Sequence, residues 1–147
     1  MSEQIQNREV KKVYLALVRG VIPENEATIN MPIARSTKDR KKMAVDKKGK
    51  VAITHFKVLE RFEKYTYLEV AIETGRTHQI RVQMAEIGHP LIVDYTYSNG
   101  NNEFNIQGQM LHAKSLEFKH PITGKQMHLE APLPEYFTEI LNRLKQE

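Results

Sequence analysis

Cysteine is absent from the 147 residues, which excludes a disulfide framework and any thiolate metal site. Long apolar runs are absent too, since no stretch approaches the roughly 20 residues that a bilayer-crossing helix needs. The opening residues, MSEQIQNREVKK, are polar throughout and lack the apolar core of a signal peptide. These absences point to a cytoplasmic protein in a reducing compartment, with no membrane partner. Metal-ligand spacing is also missing. His112, His120 and His128 recur every eight residues with no H-x-x-x-H pair or cysteine beside them, so no metal is expected. No internal repeat or linker interrupts the chain, and its length suits one domain over 1–147 with a real core.

The sequence is rich in one place. Between Arg35 and Lys50 stand eight basic residues (Arg35, Lys38, Arg40, Lys41, Lys42, Lys47, Lys48, Lys50) against two acidic ones, Asp39 and Asp46. The segment therefore carries +6, and with +4 overall the remainder carries −2. Such concentration is the footprint of a phosphate-binding surface, although a solvated loop without a partner has the same composition.

Periodicity gives the elements. Lys11–Val18 is apolar and β-branched enough for a strand that Gly20 and Pro23 end. Asn30-Met31-Pro32 introduces an extended stretch into the basic loop. Val51–Leu59 alternates in part, with Phe56 and Val58 on one face and Val51, Ile53 and Leu59 on the other. Tyr65–Glu73 alternates cleanly, placing Leu68, Val70 and Ile72 on the core and Tyr65, Tyr67, Glu69 and Glu73 outward. Over Thr77–Ile87 the period lengthens: Ile80, Met84 and Ile87 mark a helix face, with Thr77 as N-cap and Gly88 at the C-terminus. Asn99–Gln109 reads as a polar loop. Met110–Phe118 and Gln126–Ala131 form a hairpin about Pro121–Gly124, and Pro134–Lys145 is a helix with Phe137, Ile140, Leu141 and Leu144 as its stripe. The expected class is α+β, a mixed and mainly antiparallel sheet with two or three helices.

The strand, glycine turn and helix over Glu73–Ile87 concentrate the chemistry. A helix start presents unpaired N–H groups that favour an anion, and Arg76 and His78 sit there. Arg81, three residues beyond His78, lies at the edge of the buried stripe and needs an acceptor. An ordinary structural ion pair meets that need as well as a catalytic one does.

ETGRTHQIRVQMAEIGHPLIVDYTYS, Glu73–Ser98, resembles the signature of RluA-type pseudouridine synthases, which modify uridines in ribosomal and transfer RNA. Lys12-Val13-Tyr14 resembles that family's K-x-Y strand, and Arg40–Val45 its basic loop. Leu111-His112-Ala113, His120-Pro121 and Ala131-Pro132-Leu133-Pro134 resemble its C-terminal landmarks, and all occur in the family's order. The resemblance implies the C-terminal half of the synthase catalytic domain. By the same resemblance Tyr14 packs on the target base, Ile80 lines the pocket, and Arg81 pairs with the catalytic aspartate. RNA contacts fall to Arg76, His78, Arg35, Arg40, Lys41 and Lys42. In the family an aspartate attacks the uridine, the glycosidic bond breaks, and the base rotates and rejoins through C5, with no cofactor or metal.

That aspartate belongs to an H-R-L-D-x-x-T-S-G motif upstream of the K-x-Y strand, and nothing like it occurs here. Of three aspartates, Asp39 and Asp46 lie in the basic segment, and Asp94 lies in a stretch resembling the family's G-D-x-x-Y element. The chain is therefore expected to be inactive alone, with Arg81 deprived of its carboxylate partner. Gln83 replaces a common histidine, and Val93 and Ser98 replace glycines, a loss expected to alter that loop's backbone. A sheet missing strands should expose an edge and form a homo-oligomer. Two other roles fit the same residues: an RNA-binding module without chemistry, or a half-enzyme that needs a partner chain bearing H-R-L-D.

Overall fold

Lys11–Arg19 is apolar on both faces from Leu15 to Val18, a pattern that suits only a strand covered on both sides. The structure is a computed structural model describing residues 11–39, 42–94, 96–97, 110–120 and 122–145. In it this segment forms β1 and lies inside a six-stranded sheet. The other strands are β2 (Glu26–Asn30), β3 (Ile33–Arg35), β4 (Met43–Val45), β5 (Ile53–Arg61), β6 (Tyr65–Ile72), β7 (Leu111–Lys119) and β8 (Gln126–Glu130). The helices among the described residues are α1 (Gln79–Glu86) and α2 (Glu135–Lys145). The main sheet runs β2-β5-β6-β1-β7-β8 with every neighbour antiparallel, and β3 and β4 pair separately. The expected α+β class is thus found. No helix among the described residues is long and apolar enough to cross a membrane.

Register assigns each face. Tyr14 pairs with Val70 and Ala16 with Leu68, so even-numbered side chains of both strands point the same way. They meet Ile80 and Met84 of α1 in one core. The odd-numbered Leu15 and Leu17 point oppositely, into a second core with Phe137, Ile140, Leu141 and Leu144 of α2. An 11-residue helix is marginal alone, and burying each of these four side chains contributes about 1.5–3 kcal/mol. Glu135 in the first turn and Arg143 and Lys145 in the last also suit the helix dipole.

Several expectations are corrected. Tyr65 and Tyr67 do not face solvent: they pack against the α2 core, with Tyr67 and Phe137 ring centroids 6.0 Å apart. Alternation cannot reveal a second layer that covers the opposite face. The strand expected over Val51–Leu59 starts at Ile53 and continues to Arg61. The basic segment is not simply a loop, because it contains β4, which pairs with β3 at the segment's start, and Ile33, Met43 and Val45 of this hairpin pack with Ala52 and with Val82 of α1. Three-residue strands carry too little periodicity to stand out within a run of charge. The Asn99–Gln109 loop lies outside the described residues.

Phe137→Ala should lower unfolding stability by about 3–5 kcal/mol, measured by urea denaturation. A loss below about 1 kcal/mol would mean that α2 does not seal the sheet.

Candidate active site

The turn after β6 is built by side chains acting on the backbone. The Thr74 hydroxyl accepts from the Ile53 N–H at 3.1 Å and donates to Gln79 Oε1 at 2.7 Å. Gln79 Oε1 also accepts the Arg76 N–H at 3.1 Å, and its Nε2 donates to Ile53 O and to the Thr54 hydroxyl at 3.1 and 2.8 Å. Thr54 donates in turn to Gln83 Oε1, and Gln83 Nε2 reaches Met31 O and Ala52 O, each at 3.0 Å. Thr54, Gln79 and Gln83 are buried, so this satisfied network fixes how α1 is rotated on the sheet. The helix consequently begins at Gln79, not at a Thr77 cap. His78 is its N-cap residue, in the left-handed region at φ 55°, with no capping side chain.

That rotation aims Arg81 at Asp94. Nε donates to Oδ2 and Nη2 to Oδ1, each at 3.0 Å. The Asp94 side chain is 0% exposed and that of Arg81 16%. The expectation that Arg81 lacks a carboxylate is therefore corrected. Asp94 lies beyond the Gly88 turn, and no spacing rule brings it back to the helix. Asp94 Oδ1 also accepts the N–H groups of Thr96 and Tyr97 at 3.2 and 3.3 Å.

Val93, just before Asp94, adopts φ 61°, so the positive φ that glycine favours is present with a β-branched residue in it. Burial of its side chain in the α2 core opposes that strain. The Tyr97 ring lies 5.2 Å from the Arg81 guanidinium carbon. Its hydroxyl accepts the Met43 N–H at 2.9 Å and sits 2.7 Å from His78 Nδ1. Burial lowers the His78 pKa below 6.5, reinforced by the Arg81 charge, so the ring is neutral at pH 7. Burial raises the pKa of Tyr14, whose hydroxyl stays protonated.

The structure brings five of the sequence-derived residues together. Tyr14, Ile80, Arg81, Arg76 and His78 line one cleft of about 190 Å³, closed by Ile72, Gln79 and Leu111. This is smaller than the roughly 300 Å³ at which drug-sized pockets begin, and it suits a single planar ring between apolar walls and guanidinium groups. No carboxylate is found in its lining among the described residues. Arg35 stands apart from the cleft and lines a neighbouring pocket that also reaches Arg76. Lys42 lines neither pocket; its backbone closes the turn between β3 and β4 through Ser36 and Asp39. Arg40 and Lys41 lie outside the described residues. Sequence reasoning missed Asp94 as the partner of Arg81, and with it Tyr97, although both stand in the stretch that resembles G-D-x-x-Y.

Known proteins resemble this chain in sequence and in fold. The family model for RNA pseudouridylate synthase matches residues 1–86. The chain is 47% identical to the uncharacterized RNA pseudouridine synthase YlyB of Bacillus subtilis, over 97% of this chain and 46% of that protein. It is 42% identical to ribosomal large subunit pseudouridine synthase D of Haemophilus influenzae, over 96% of this chain and 47% of that one. The chain thus spans about half the length of these relatives. Among solved structures, human RNA pseudouridylate synthase domain containing 1 superposes with a TM-score of 0.78 at 27% identity, covering 99% of this chain and 70% of that one.

Two outcomes follow from the geometry. Arg81→Met should cost about 3–5 kcal/mol of stability, because it strands a buried carboxylate, whereas Arg81→Met with Asp94→Leu should cost less. Equal losses in urea denaturation would show that the pair is not the source. Since the folded His78 ring binds a proton less readily than an unfolded one, its contribution is complete above about pH 6.5 and falls as acid protonates it. His78→Asn should flatten the fall in urea midpoint between pH 7.5 and pH 5.5.

Proposed function

The chain belongs to the RNA pseudouridine synthase family, of the RluA type, and from this we propose that it carries the base-binding half of a synthase site and is inactive alone. One observation carries the proposal: Tyr14, Ile80 and Arg81 converge on a single cleft whose described lining contains no carboxylate. In this reading a uridine of ribosomal or transfer RNA enters the cleft and lies against Tyr14 and Ile80. Arg76, His78 and the basic segment, including Arg35, Arg40, Lys41 and Lys42, hold the surrounding phosphates.

The nucleophile is an aspartate from an H-R-L-D segment outside these 147 residues. Its carboxylate oxygen bonds to the nucleotide as the N1–C1′ bond breaks. The freed base turns, C5 bonds to C1′ as the aspartate departs, the C5 proton passes to solvent, and N1 takes up a proton in its place. Arg81 uses two of its five N–H donors on Asp94, which leaves three to hold the incoming aspartate ionised. Asp94 is the counter-ion that orients the arginine, because a carboxylate sealed beneath it cannot reach a substrate.

A second reading, RNA binding without chemistry, is favoured by the concentration of cations around Arg76, which needs no nucleophile. Self-association through the sheet edges β2 and β8 remains part of the proposal, with a light-scattering mass above 17.1 kDa at micromolar concentration as its sign.

The test is release of tritium from C5-labelled uridine in ribosomal or transfer RNA. The chain alone should release none while binding RNA with an affinity that falls steeply with salt. Adding a separate polypeptide that bears H-R-L-D should restore release. Turnover by the chain alone that Asp94→Asn abolishes would overturn the proposal, and failure of complementation would leave the binding-only reading.

A further inference from the structure

Beside the base cleft lies a larger pocket, about 430 Å³, whose lining includes Arg35, Lys48, Gly49, Lys50, Gly75 and Arg76. It brings four cationic side chains together, and its described lining holds no carboxylate. Its wall is fixed by backbone pairing. The Lys50 N–H donates to Ile33 O at 2.9 Å and the Ile33 N–H to Lys50 O at 3.0 Å, while the Gly49 N–H donates to Asp46 O at 2.8 Å. A Cβ on Gly49 would stand 2.5 Å from the Ile33 carbonyl, so only glycine lets this turn lie flush on β3.

The nearest acid in sequence is already engaged, since Asp46 Oδ1 accepts the Lys48 N–H at 2.9 Å. Arg76 Nε donates to Val51 O at 2.7 Å, which orients the guanidinium and leaves its Nη groups as donors. Arg76 also lines the base cleft, so the two cavities share a wall.

We propose that this pocket binds a phosphodiester of the RNA strand next to the target uridine, an inference that rests on the RNA-binding role above. A guanidinium fork and flexible ammonium groups match phosphate oxygens. Gly75, exposed and without a side chain, lets a sugar–phosphate backbone approach closely. The shared Arg76 places that phosphate beside the base in the cleft. Lys48 and Lys50 therefore bind RNA in a defined place, unlike Lys38 and Lys47, which belong to the same charged segment but do not line the pocket.

The experiment measures binding of a single-stranded, uridine-containing oligoribonucleotide by fluorescence anisotropy across a salt series, using the full chain. Lys48→Gln with Lys50→Gln is compared with the charge-matched pair Lys38→Gln with Lys47→Gln. All four lysines are exposed, so both variants are expected to fold. The pocket pair should reduce the slope of log affinity against log salt by about 1.4, two contacts at about 0.7 each, and the control pair by much less. Equal effects would overturn the pocket and leave the RNA-binding role intact. In a parallel arm inorganic pyrophosphate is titrated and the Gly49 and Gly75 amides are followed by NMR. Shifts there without oligonucleotide binding would overturn the RNA assignment of the pocket, and no shift in either arm would overturn the site altogether.

Discussion

Arg81 and Asp94 are the constraint around which the site is arranged. A carboxylate removed from water is tolerable only where a cation and further hydrogen bonds replace its hydration. Asp94 receives both, from a bidentate guanidinium and from the amides of Thr96 and Tyr97. Such a pair adds little net stability over an apolar substitute, but it allows only one arrangement of the segments that carry it. Here those segments are α1 and the stretch after Pro90. The Gln79–Gln83 network sets the rotation of the helix, and the left-handed Val93 sets the direction of Asp94.

The site proper is a junction of two surfaces of different chemistry. One is the small cleft bounded by Tyr14, Ile80 and Arg81, apolar on its walls and cationic at one side. The other is the wider pocket under the β3–β4 hairpin, cationic around a glycine turn. Arg76 belongs to both. Tyr97 connects them a second time, since it lies against Arg81 while its hydroxyl holds the Met43 amide of the hairpin. A shift of the hairpin would therefore be felt at the arginine that faces the cleft.

Much of this was legible beforehand, for identifiable reasons. The even positions of β6 and the stripe of α2 follow simple periods, and Leu68, Val70, Ile72, Phe137, Ile140, Leu141 and Leu144 are buried as that periodicity requires. The grouping of Tyr14, Ile80 and Arg81 came from a likeness to a family, because their separation in sequence carries no geometric information. What stayed hidden depended on side-chain detail or on a second layer. Gln79 turns inward and moves the helix start past Thr77. Val93 takes a backbone angle that its residue type disfavours. Tyr65 and Tyr67, on the odd face of β6, look exposed until α2 covers them. Strands β3 and β4 are too short, and too crowded by charge, to register as strands.

The place of β1 has a kinetic meaning. It precedes both of its neighbours in the chain, yet it lies between them: Lys12 pairs with Ile72 on one side and with Leu116 on the other. Hairpins such as β5–β6 and β7–β8 close over short loops, whereas β1 must find partners far along the chain. Non-local pairing of this kind slows folding. During synthesis the apolar run from Leu15 to Val18 therefore emerges well before the strands and helices that cover it. That interval, more than the finished sheet, is where this chain is most exposed to misassociation or capture by a chaperone.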